Sequence, residues 1–385
     1  MKIELDDRQR RVVDEAGDFA RTVLAPRARE NEESGVFPRN VISQMGERGY
    51  LGATLPQAHG GLGLDPVAYG LLVAEIEKGD CSASRLLTVH LALVAEAIHK
   101  CGSESQIRKW LPRIARGETI CAFGLTEPEH GSDAAGIQTA YTAHGCDFRI
   151  NGRKRWITFS GIADLLLVMA RNGEAVSAFL IERETPGVSV EPQKGLMAGR
   201  ACHICEVILN DVIVGKENIL GQAGQGFTYV ANTALDHGRY SIAWGGVGLA
   251  EAALNAMVSY ARTRKQFGQS IGSFQLVREM IAEAVVGVYA AKSLCWRAGE
   301  MRKAAAADAI IETTIAKHFS AGTAFRIACD AVQVHGGNGF TSEYPVERYM
   351  REAKVLEIIE GTSQIQQMMI SMHGLRRFGR THAHR

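Results

Sequence analysis

The sequence predicts an α+β protein built from three domains. Apolar residues recur at helical spacing through the first 120 residues, and short β-prone segments fill the middle of the chain. Helical spacing returns near residue 226 and continues. We therefore expect an N-terminal all-α domain, a central antiparallel β-barrel or β-sandwich domain, and a C-terminal four-helix bundle, over residues 1–120, 121–225 and 226–385. A chain of 385 residues is long for one hydrophobic core, which agrees with several domains.

The first domain is predicted to be helical from the spacing of its apolar residues. In "RQRRVVDEAGDFARTVLAP" they lie on one side of a helix that ends at Pro26. The segments "VAYGLLVAEIEKGD", "ASRLLTVHLALVAEAIHKCG" and "ESQIRKWLPRIARGE" have the same period, and glycine or a polar cap separates them. No strand-like alternation precedes residue 120 or so.

The second domain is predicted to be β-structure. "FRINGRKRWITF" places Asn151-Gly152 between β-prone flanks, which predicts a hairpin turn at that dipeptide. "DLLLVMARN", "VSAFLIERETPGVSVEP" and "CEVILNDVIV" are short strand-like segments joined by turn residues. Because no helix of ten residues interrupts them, an antiparallel sheet fits better than βαβ winding.

The third domain is predicted to be a bundle of long helices. Helical segments cover 226–264, 274–301, 304–334 and 343–359, and a last helix starts at Thr362. Small residues such as those in "SIAWGGVGLAEAALNAM" would let neighbouring helices approach closely.

Composition argues against several classes of function. The formal net charge is +1 without long charge runs, so a nucleic-acid partner is not expected. We expect no segment to reach the roughly 20 apolar residues of a membrane span, and the charged N-terminus does not resemble a signal peptide. Eight scattered cysteines suggest reduced thiols and a cytoplasmic protein. We find no metal-ligand cluster and expect no metal.

Glu360 is the first candidate for chemistry. If the preceding helix continues to its end, Tyr349, Ala353, Leu356 and Glu360 share one face. Gly361 then breaks the helix and Thr362 starts another. The structural alternative is a solvated carboxylate at a frayed helix end, where it opposes the helix dipole.

Other candidate segments have a structural alternative too. "FGLTEPEHGSD" could offer free backbone N–H groups to a ring or phosphate, or it could simply join two domains. Trp156 and Thr158 would lie on one side of a strand, where they could pack on a planar cofactor or in the core. Arg264 follows a long helix and could bind phosphate or favour the helix terminus. "QVHGGNGF" lacks the strand-before, helix-after context of a dinucleotide fingerprint.

Five segments together resemble signatures of the acyl-CoA dehydrogenase family of flavoproteins, in the same order and over almost the whole chain. They are "GLTEPEHGSD", "RWITFSGIAD", "RTRKQFGQSIGSFQ", "QVHGGNGF" and "IIEGTSQIQ". The family's fold is a helical domain, a β-barrel and a helical bundle, which agrees with the predicted layout.

The resemblance implies an FAD cofactor and a set of residues that bind it. The residues that match the family's flavin contacts are Phe123, Leu125, Thr126, Ser132, Trp156, Thr158, Thr362 and Gln364. Those that match contacts to the adenine diphosphate half, reached from a neighbouring subunit, are Arg264, Phe267, Gln275, Gln333, Gly336 and Gly337. The positions that match substrate contacts are Ser132, Asp236, Arg239 and Gly361. An intersubunit FAD site implies a homodimer or homotetramer.

The resemblance also implies that Glu360 is the catalytic base. The base would take the α-proton of an acyl-CoA or acyl-carrier-protein thioester while a hydride leaves the β-carbon for the flavin. Some branches carry the base in the preceding bundle helix, where this chain has Gly238. Electrons would pass to an electron-transfer flavoprotein or another acceptor.

Three alternatives to an acyl-CoA dehydrogenase stay open at this point. "SRLLTVH" resembles members that oxidise short hydroxyacyl groups on acyl carrier proteins. An oxygen-using acyl-CoA oxidase is a second alternative, and hydrogen peroxide formation without an artificial acceptor would decide for it. A non-catalytic binding homologue would be expected to lack the base, and Glu360 is present.

Overall fold

The computed structural model describes residues 5–378. Within them the chain forms two compact units, divided between Ser241 and Ile242. The first unit contains the N-terminal helices and the β-sheet, and the second contains helices. The predicted fold class, with helices, then strands, then helices along the chain, is confirmed. The three predicted domain ranges begin at residue 1 and end at residue 385, and both of these positions lie outside the described residues.

From residue 5 onward, seven α-helices precede the sheet. They are α1 (Asp7–Phe19), α2 (Ala28–Ser34), α3 (Arg39–Glu47), α4 (Pro66–Gly79), α5 (Cys81–Leu86), α6 (Glu96–Cys101) and α7 (Glu104–Ala115). Local sequence sets several of their starts. Asp6 and Ser103 each form a capping box with a glutamine three residues later. Asp65 caps α4, whose first residue is Pro66.

Helices α5 and α6 are joined by a π-helical segment, Leu87–Ala95, into one 21-residue helix. By length and hydropathy this stretch could cross a membrane, so the expectation that no segment is apolar enough was wrong. The apolar stretch of this helix is completely buried inside the structure, however. It is the one such helix among residues 5–378, and its position in the first unit is that of a core helix.

One sheet of eight strands forms the middle of the chain. The strands are β1 (Cys121–Gly124), β2 (Ala140–His144), β3 (Asp147–Ile157), β4 (Leu165–Asn172), β5 (Ala175–Glu182), β6 (Val188–Pro192), β7 (Cys205–Val214) and β8 (Ile219–Leu220). Their order is β6-β7-β3-β2-β4-β5-β8, and β1 pairs with β4. Most pairs are antiparallel, but β1 and β2 each run parallel to β4. The path through the described strands is open, so the sheet is not a closed barrel.

The hairpin predicted at Asn151-Gly152 was wrong. Strand β3 runs straight through this dipeptide, and the turn lies between His144 and Asp147, where Gly145 has φ +61°. Gly152 sits at a register shift in the pairing with β7, and a Cβ there would overlap Thr139. Gly152 is therefore needed because Thr139 lies so close to its backbone. From sequence alone, a glycine at such a close approach looks the same as a glycine in a hairpin turn.

The second unit is a helical bundle. Its helices are α8 (Asn232–Thr263), which begins in the first unit, α9 (Gln275–Lys303), α10 (Ala309–His335), α11 (Val346–Leu356) and α12 (Ser363–Arg377). A two-stranded ribbon of β9 (Lys265–Gln266) and β10 (Gln269–Ser270) joins α8 to α9. Helix α10 packs against α9, α11 and α12. A Cβ on Gly246 of α8 would lie 2.9 Å from the Oγ of Ser320 on α10, which explains the small residues in α8.

Candidate active site

The predicted site residues are divided between the two units. The first unit holds those in and after β1, those at the end of β3, and two near the start of α8: Phe123, Leu125, Thr126, Ser132, Trp156, Thr158, Asp236 and Arg239. The second unit holds the rest: Arg264, Phe267, Gln275, Gln333, Gly336, Gly337, Glu360, Gly361, Thr362 and Gln364.

In the first unit, the end of β1 is bound to β3. Phe123 and Leu125 are buried, and Thr126 is half-buried. The backbone N–H of Arg155 donates to the carbonyl oxygen of Thr126 at 2.9 Å. The Nζ of Lys154 donates to the carbonyl oxygen of Leu125 at 3.1 Å. These bonds bring the residues after β1 beside the Arg155-Trp156 segment.

A buried ion pair holds the loop between β1 and β2. The Nζ of Lys154 lies 2.7 Å from Oε1 of Glu127, and both side chains are almost completely buried. Burial lowers the pKa of Lys154 to about 8, although Glu127 opposes this. Burial raises the pKa of Glu127, but Lys154 and bonds from residues 138 and 139 outweigh it, so the pKa lies below its usual value. Sequence reasoning missed this pair, whose charges give no local signal.

Trp156 is a large aromatic side chain on the surface of the first unit. It is 48% exposed and has φ +63°, and the guanidinium of Arg155 lies 4.5 Å from its ring centroid. The prediction that Trp156 and Thr158 share a strand face was wrong. The pairing of β3 with β7 shifts register between Lys154 and Ile157, and β3 ends before Thr158. A bulge of this kind interrupts the alternation of side chains.

Three further predicted residues of the first unit are accessible. Ser132 is exposed in the loop between β1 and β2. Asp236 and Arg239 are half-buried on α8, three residues apart and so on one helix face. They could reach a ligand lying along that face.

In the second unit, Arg264 lines a cavity of about 420 Å³ together with residues in and next to a glycine-rich loop, Gly336–Phe340. The walls include Tyr260, His335 and Asn338. The rings of Tyr260 and His335 stack with centroids 4.1 Å apart, and burial lowers the pKa of His335. The Nδ2 of Asn338 donates to the Tyr260 hydroxyl at 2.9 Å. His335 thus packs within the bundle, and the sequence did not identify Tyr260 or Asn338 as its neighbours.

The glycine-rich loop itself is open. Gln333, Gly336 and Gly337 are exposed, and a Cβ on either glycine would meet no atom within 4 Å. Phe267 is 93% exposed at the tip of the β9–β10 ribbon, and Gln275 begins α9. Arg264 lines the same cavity as His335 and Asn338, and its guanidinium is a donor that suits phosphate oxygens.

Glu360 lies between two helices and not at the end of one. Helix α11 ends at Leu356, and residues 357–360 form a turn, so the predicted continuous stripe from Tyr349 to Glu360 was wrong. Glu360 has φ +56° and Gly361 has φ +91°. Two successive left-handed residues cannot continue an α-helix, and the first of them is not glycine.

The segment that follows is tied down on both sides. Thr362 caps α12 by accepting from the backbone N–H of Ile365, and Gln364 is exposed on the first turn of that helix. The backbone N–H of Ser363 donates to the carbonyl oxygen of Glu357 at 2.9 Å. Lys317 and Gln366, which sequence reasoning did not identify, bond the carbonyl groups of residues 360 and 361.

Residues 5–378 contain no group of three or more His, Cys, Asp or Glu side chains that could hold a metal ion. In the first unit the exposed ring of Trp156 suits a flat organic group, and in the second unit Arg264 suits a phosphate group.

Comparison with known proteins gives the family. Three models match successive parts of the chain: the acyl-CoA dehydrogenase N-terminal domain over residues 6–118, the middle domain over 122–212 and the C-terminal domain over 224–375. A probable acyl-CoA dehydrogenase of Bacillus subtilis, YngJ, is 37% identical over 96% of this chain and 99% of its own length.

Solved structures agree with this assignment. Butyryl-CoA dehydrogenase from Megasphaera elsdenii is 34% identical with a TM-score of 0.94, over 98% of this chain and all of that one. A chain in a structure described as the electron transferring flavoprotein of Acidaminococcus fermentans is 37% identical with a TM-score of 0.95, over the same shares. The three domain models match in order along the chain, and relatives align with it over nearly their whole length. The chain therefore belongs to the acyl-CoA dehydrogenase family.

Proposed function

We propose that Glu360 is the catalytic base of this FAD-dependent acyl-CoA dehydrogenase and that its substrate is a short-chain acyl-CoA. The observation that supports Glu360 is its place in the chain. It is a non-glycine residue with φ +56° in the turn between α11 and α12, within a motif that matches the family. A residue is kept in such a conformation only where the surrounding structure imposes it, and such residues cluster at functional sites.

The reaction requires a base and a hydrogen-bond donor at the thioester. An α-proton next to a thioester carbonyl is too weakly acidic for a carboxylate alone. The carbonyl oxygen must therefore be hydrogen-bonded as negative charge develops on it. Glu360 would take the α-proton on its carboxylate, and its backbone N–H would donate to that oxygen. Exclusion of water by the bound acyl chain would increase the basicity of the carboxylate.

The residues of each unit fit FAD. Bound FAD supplies the acceptor for the hydride that leaves the β-carbon. The flavin ring would be held by residues of the first unit, because an exposed indole can pack on a flat polar ring and threonine hydroxyls can bond its polar edge. These residues are Phe123, Leu125, Thr126, Ser132, Trp156 and Thr158. Arg264 and Gln333 would bind the diphosphate, and the open backbone at Gly336 and Gly337 would let it approach closely. Phe267 and Gln275 would contact the adenosine half, and Thr362 and Gln364 would complete the site.

The substrate assignment is supported by the butyryl-CoA dehydrogenase relative. Asp236 and Arg239 offer one negative and one positive group on the same face of α8, which suits the amides and hydroxyl of a pantetheine arm. Ser132 and Gly361 would contact the thioester end of the substrate.

We further propose a homodimer or homotetramer whose FAD site is shared between subunits. Exposed apolar side chains on α12 support this: Met368, Met372 and Leu375 are 60%, 52% and 84% exposed, and their spacing places them on one face. An electron-transferring flavoprotein is the proposed acceptor, supported by the Acidaminococcus structure. The eight free cysteines support a reducing, cytoplasmic environment.

The reaction and substrate class can be tested by anaerobic titration of the yellow protein with butyryl-CoA, longer acyl-CoA thioesters and butyryl carrier protein. Bleaching of the flavin absorption fastest with butyryl-CoA is the expected result. No bleaching by any thioester would contradict the dehydrogenase assignment, and preference for the carrier-protein thioester would overturn the proposed substrate. Hydrogen peroxide formed in air without another acceptor would overturn the proposed electron acceptor in favour of oxygen.

A further inference from the structure

The backbone around Glu360 is held by two buried side chains from other helices. The Nζ of Lys317, in the middle of α10, donates to the carbonyl oxygen of Gly361 at 2.7 Å. The Nε2 of Gln366, in the first turns of α12, donates to the carbonyl oxygens of Glu360 and Gly361 at 3.2 and 3.3 Å. Both side chains are 0% exposed.

The two carbonyl groups that accept these bonds belong to Glu360 and Gly361, the two successive residues with a left-handed backbone. Glu360 and Gly361 both have positive φ, and the left-handed region is unfavourable for glutamate because its Cβ crowds the following carbonyl group. A glutamate stays in the left-handed conformation only if the surrounding structure makes contacts there that it would lose in the right-handed or extended conformation. Turning the peptide between residues 360 and 361 would move the Glu360 carbonyl away from Gln366.

The chemistry of the donors fits this task. The carbonyl of Gly361 accepts from an ammonium group, and hydrogen bonds with a charged partner are stronger than those between neutral groups. The orientation of the Gln366 amide is determined as well, because only its NH₂ end can donate to two carbonyl oxygens. Lys317 lies 44 residues from Gly361 in sequence, so the bond anchors the turn to a different helix.

We propose that Lys317 and Gln366 are positioning residues for the catalytic base. They hold the backbone of residues 360–361 in the left-handed conformation that directs the Glu360 carboxylate, and they act on the reaction only through Glu360. This inference rests on the proposed role of Glu360 as the base.

Lys317→Met tests the proposal because it removes the ammonium and keeps an unbranched side chain of similar length. The FAD-loaded variant is mixed anaerobically with butyryl-CoA, and the limiting rate of flavin bleaching and the half-saturating concentration are measured. We expect the limiting rate to fall roughly ten- to a hundredfold, since a small displacement of a catalytic group costs this much. The half-saturating concentration should change by less than about threefold, because substrate binding is not the step affected.

A second readout isolates proton removal from hydride transfer. A butyryl-CoA analogue with sulfur in place of the β-carbon has no hydride to lose, and exchange of its α-protons into D₂O can be followed by NMR. Lys317→Met should slow this exchange as much as it slows bleaching. In a Glu360→Gln background, where the base is gone, Lys317→Met should cause no further loss beyond about twofold.

Lys354→Met is the matched control. Lys354 is another lysine near the turn, on α11, and its ammonium lies 2.8 Å from Glu357 and not at the carbonyls of residues 360 and 361. Its bleaching rate should stay within about twofold of the unmodified protein. If Lys317→Met fails to fold or to bind FAD, Gln366→Met takes its place with the same criteria.

The outcomes separate the two proposals. A folded Lys317→Met or Gln366→Met protein with the limiting rate and α-proton exchange within twofold of the original would overturn the positioning role. If Lys317→Met lowered the rate as much in the Glu360→Gln protein as in the original, the positioning role would be overturned too, because the effect would not pass through Glu360. If Glu360→Gln itself retained α-proton exchange, the base assignment would fail regardless of the lysine.

Discussion

The ammonium of Lys154 lies 2.7 Å from the carboxylate of Glu127, and both side chains are buried. The pair joins β3 to the loop that follows β1. Lys154 also bonds the carbonyl oxygen of Leu125, and Glu127 accepts from the backbone N–H of Thr139 at 2.9 Å. The loop that carries Thr126 and Ser132 is therefore held at both ends by one ion pair.

Lys154→Met should be strongly destabilising, because it leaves the Glu127 carboxylate buried without its charged partner. We expect the free energy of unfolding to fall by about 3–5 kcal/mol, measured by urea denaturation followed by circular dichroism. Lys109→Met, which breaks an exposed ion pair with Glu182, should cost about 0–1 kcal/mol. Equal losses in the two variants would contradict the structural role given to the buried pair.

Trp156→Ala should weaken FAD binding with little effect on folding. The indole is already 48% exposed, so its removal leaves only a small cavity. Loss of one aromatic contact should raise the Kd for FAD roughly tenfold, which corresponds to about 1.4 kcal/mol. Fluorescence titration of the apoprotein measures this, with Tyr229→Ala, another exposed aromatic of the first unit, as the control. Unchanged FAD affinity would remove Trp156 from the flavin site.

His90 should make the protein sensitive to acid. Its Nδ1 accepts from the backbone N–H of Cys121 at 3.2 Å, so Nε2 donates to the carbonyl oxygen of Ile114 at 3.0 Å. Burial lowers the pKa of His90 to about 4 from 6.5. Between these values the unfolded chain takes up a proton that the folded protein does not. Stability therefore falls as the pH is lowered from 6.5 to 4, by about 3 kcal/mol from this group.

Denaturation curves at pH 7, 5.5 and 4.5 check the prediction for His90. A His90→Gln protein should lose less stability over this range than the original, because it has no imidazole to protonate. His144→Gln, which changes an exposed histidine, should follow the original curve. An acid dependence unchanged in His90→Gln would show that other groups cause it.

Met372→Glu should disrupt the proposed oligomer. The substitution puts a charge in the exposed apolar face of Met368, Met372 and Leu375, and an unpaired charge is costly in a buried interface. Light scattering after gel filtration should show smaller assemblies, with less FAD bound if the site is shared. Gln367→Glu, exposed on another face of α12, is the control. An unchanged mass for Met372→Glu would exclude this face as the interface.

Much of the fold could be predicted from periodicity alone. The change from helix to strand near residue 120 was located to within a residue of β1, which begins at Cys121. Strand β4 was recognisable as a continuous apolar run because both of its faces are buried. The long helices α9 and α10 match their predicted segments to within five residues at every end, since uninterrupted helical spacing over 27 residues or more has few alternatives.

The site was harder to predict, because its backbone departs from regular periods. The alternation of side chains along β3 is interrupted by a bulge at Trp156. Helical spacing does not extend to Glu360, because α11 has already ended. Both residues have positive φ, which sequence patterns do not reveal for residues other than glycine. The buried lysines Lys154 and Lys317 depend on partners distant in sequence, so no local pattern could identify them.

The most direct test of the account is the reduction of FAD by butyryl-CoA in Glu360→Gln. Glutamine keeps the size of the side chain and removes its ability to accept the α-proton at neutral pH. The purified variant should be yellow, with FAD content close to that of the unmodified protein. On anaerobic mixing with butyryl-CoA its flavin absorption should persist, with bleaching slowed by at least about a thousandfold. Bleaching at nearly the original rate would contradict the assignment of Glu360 as the base.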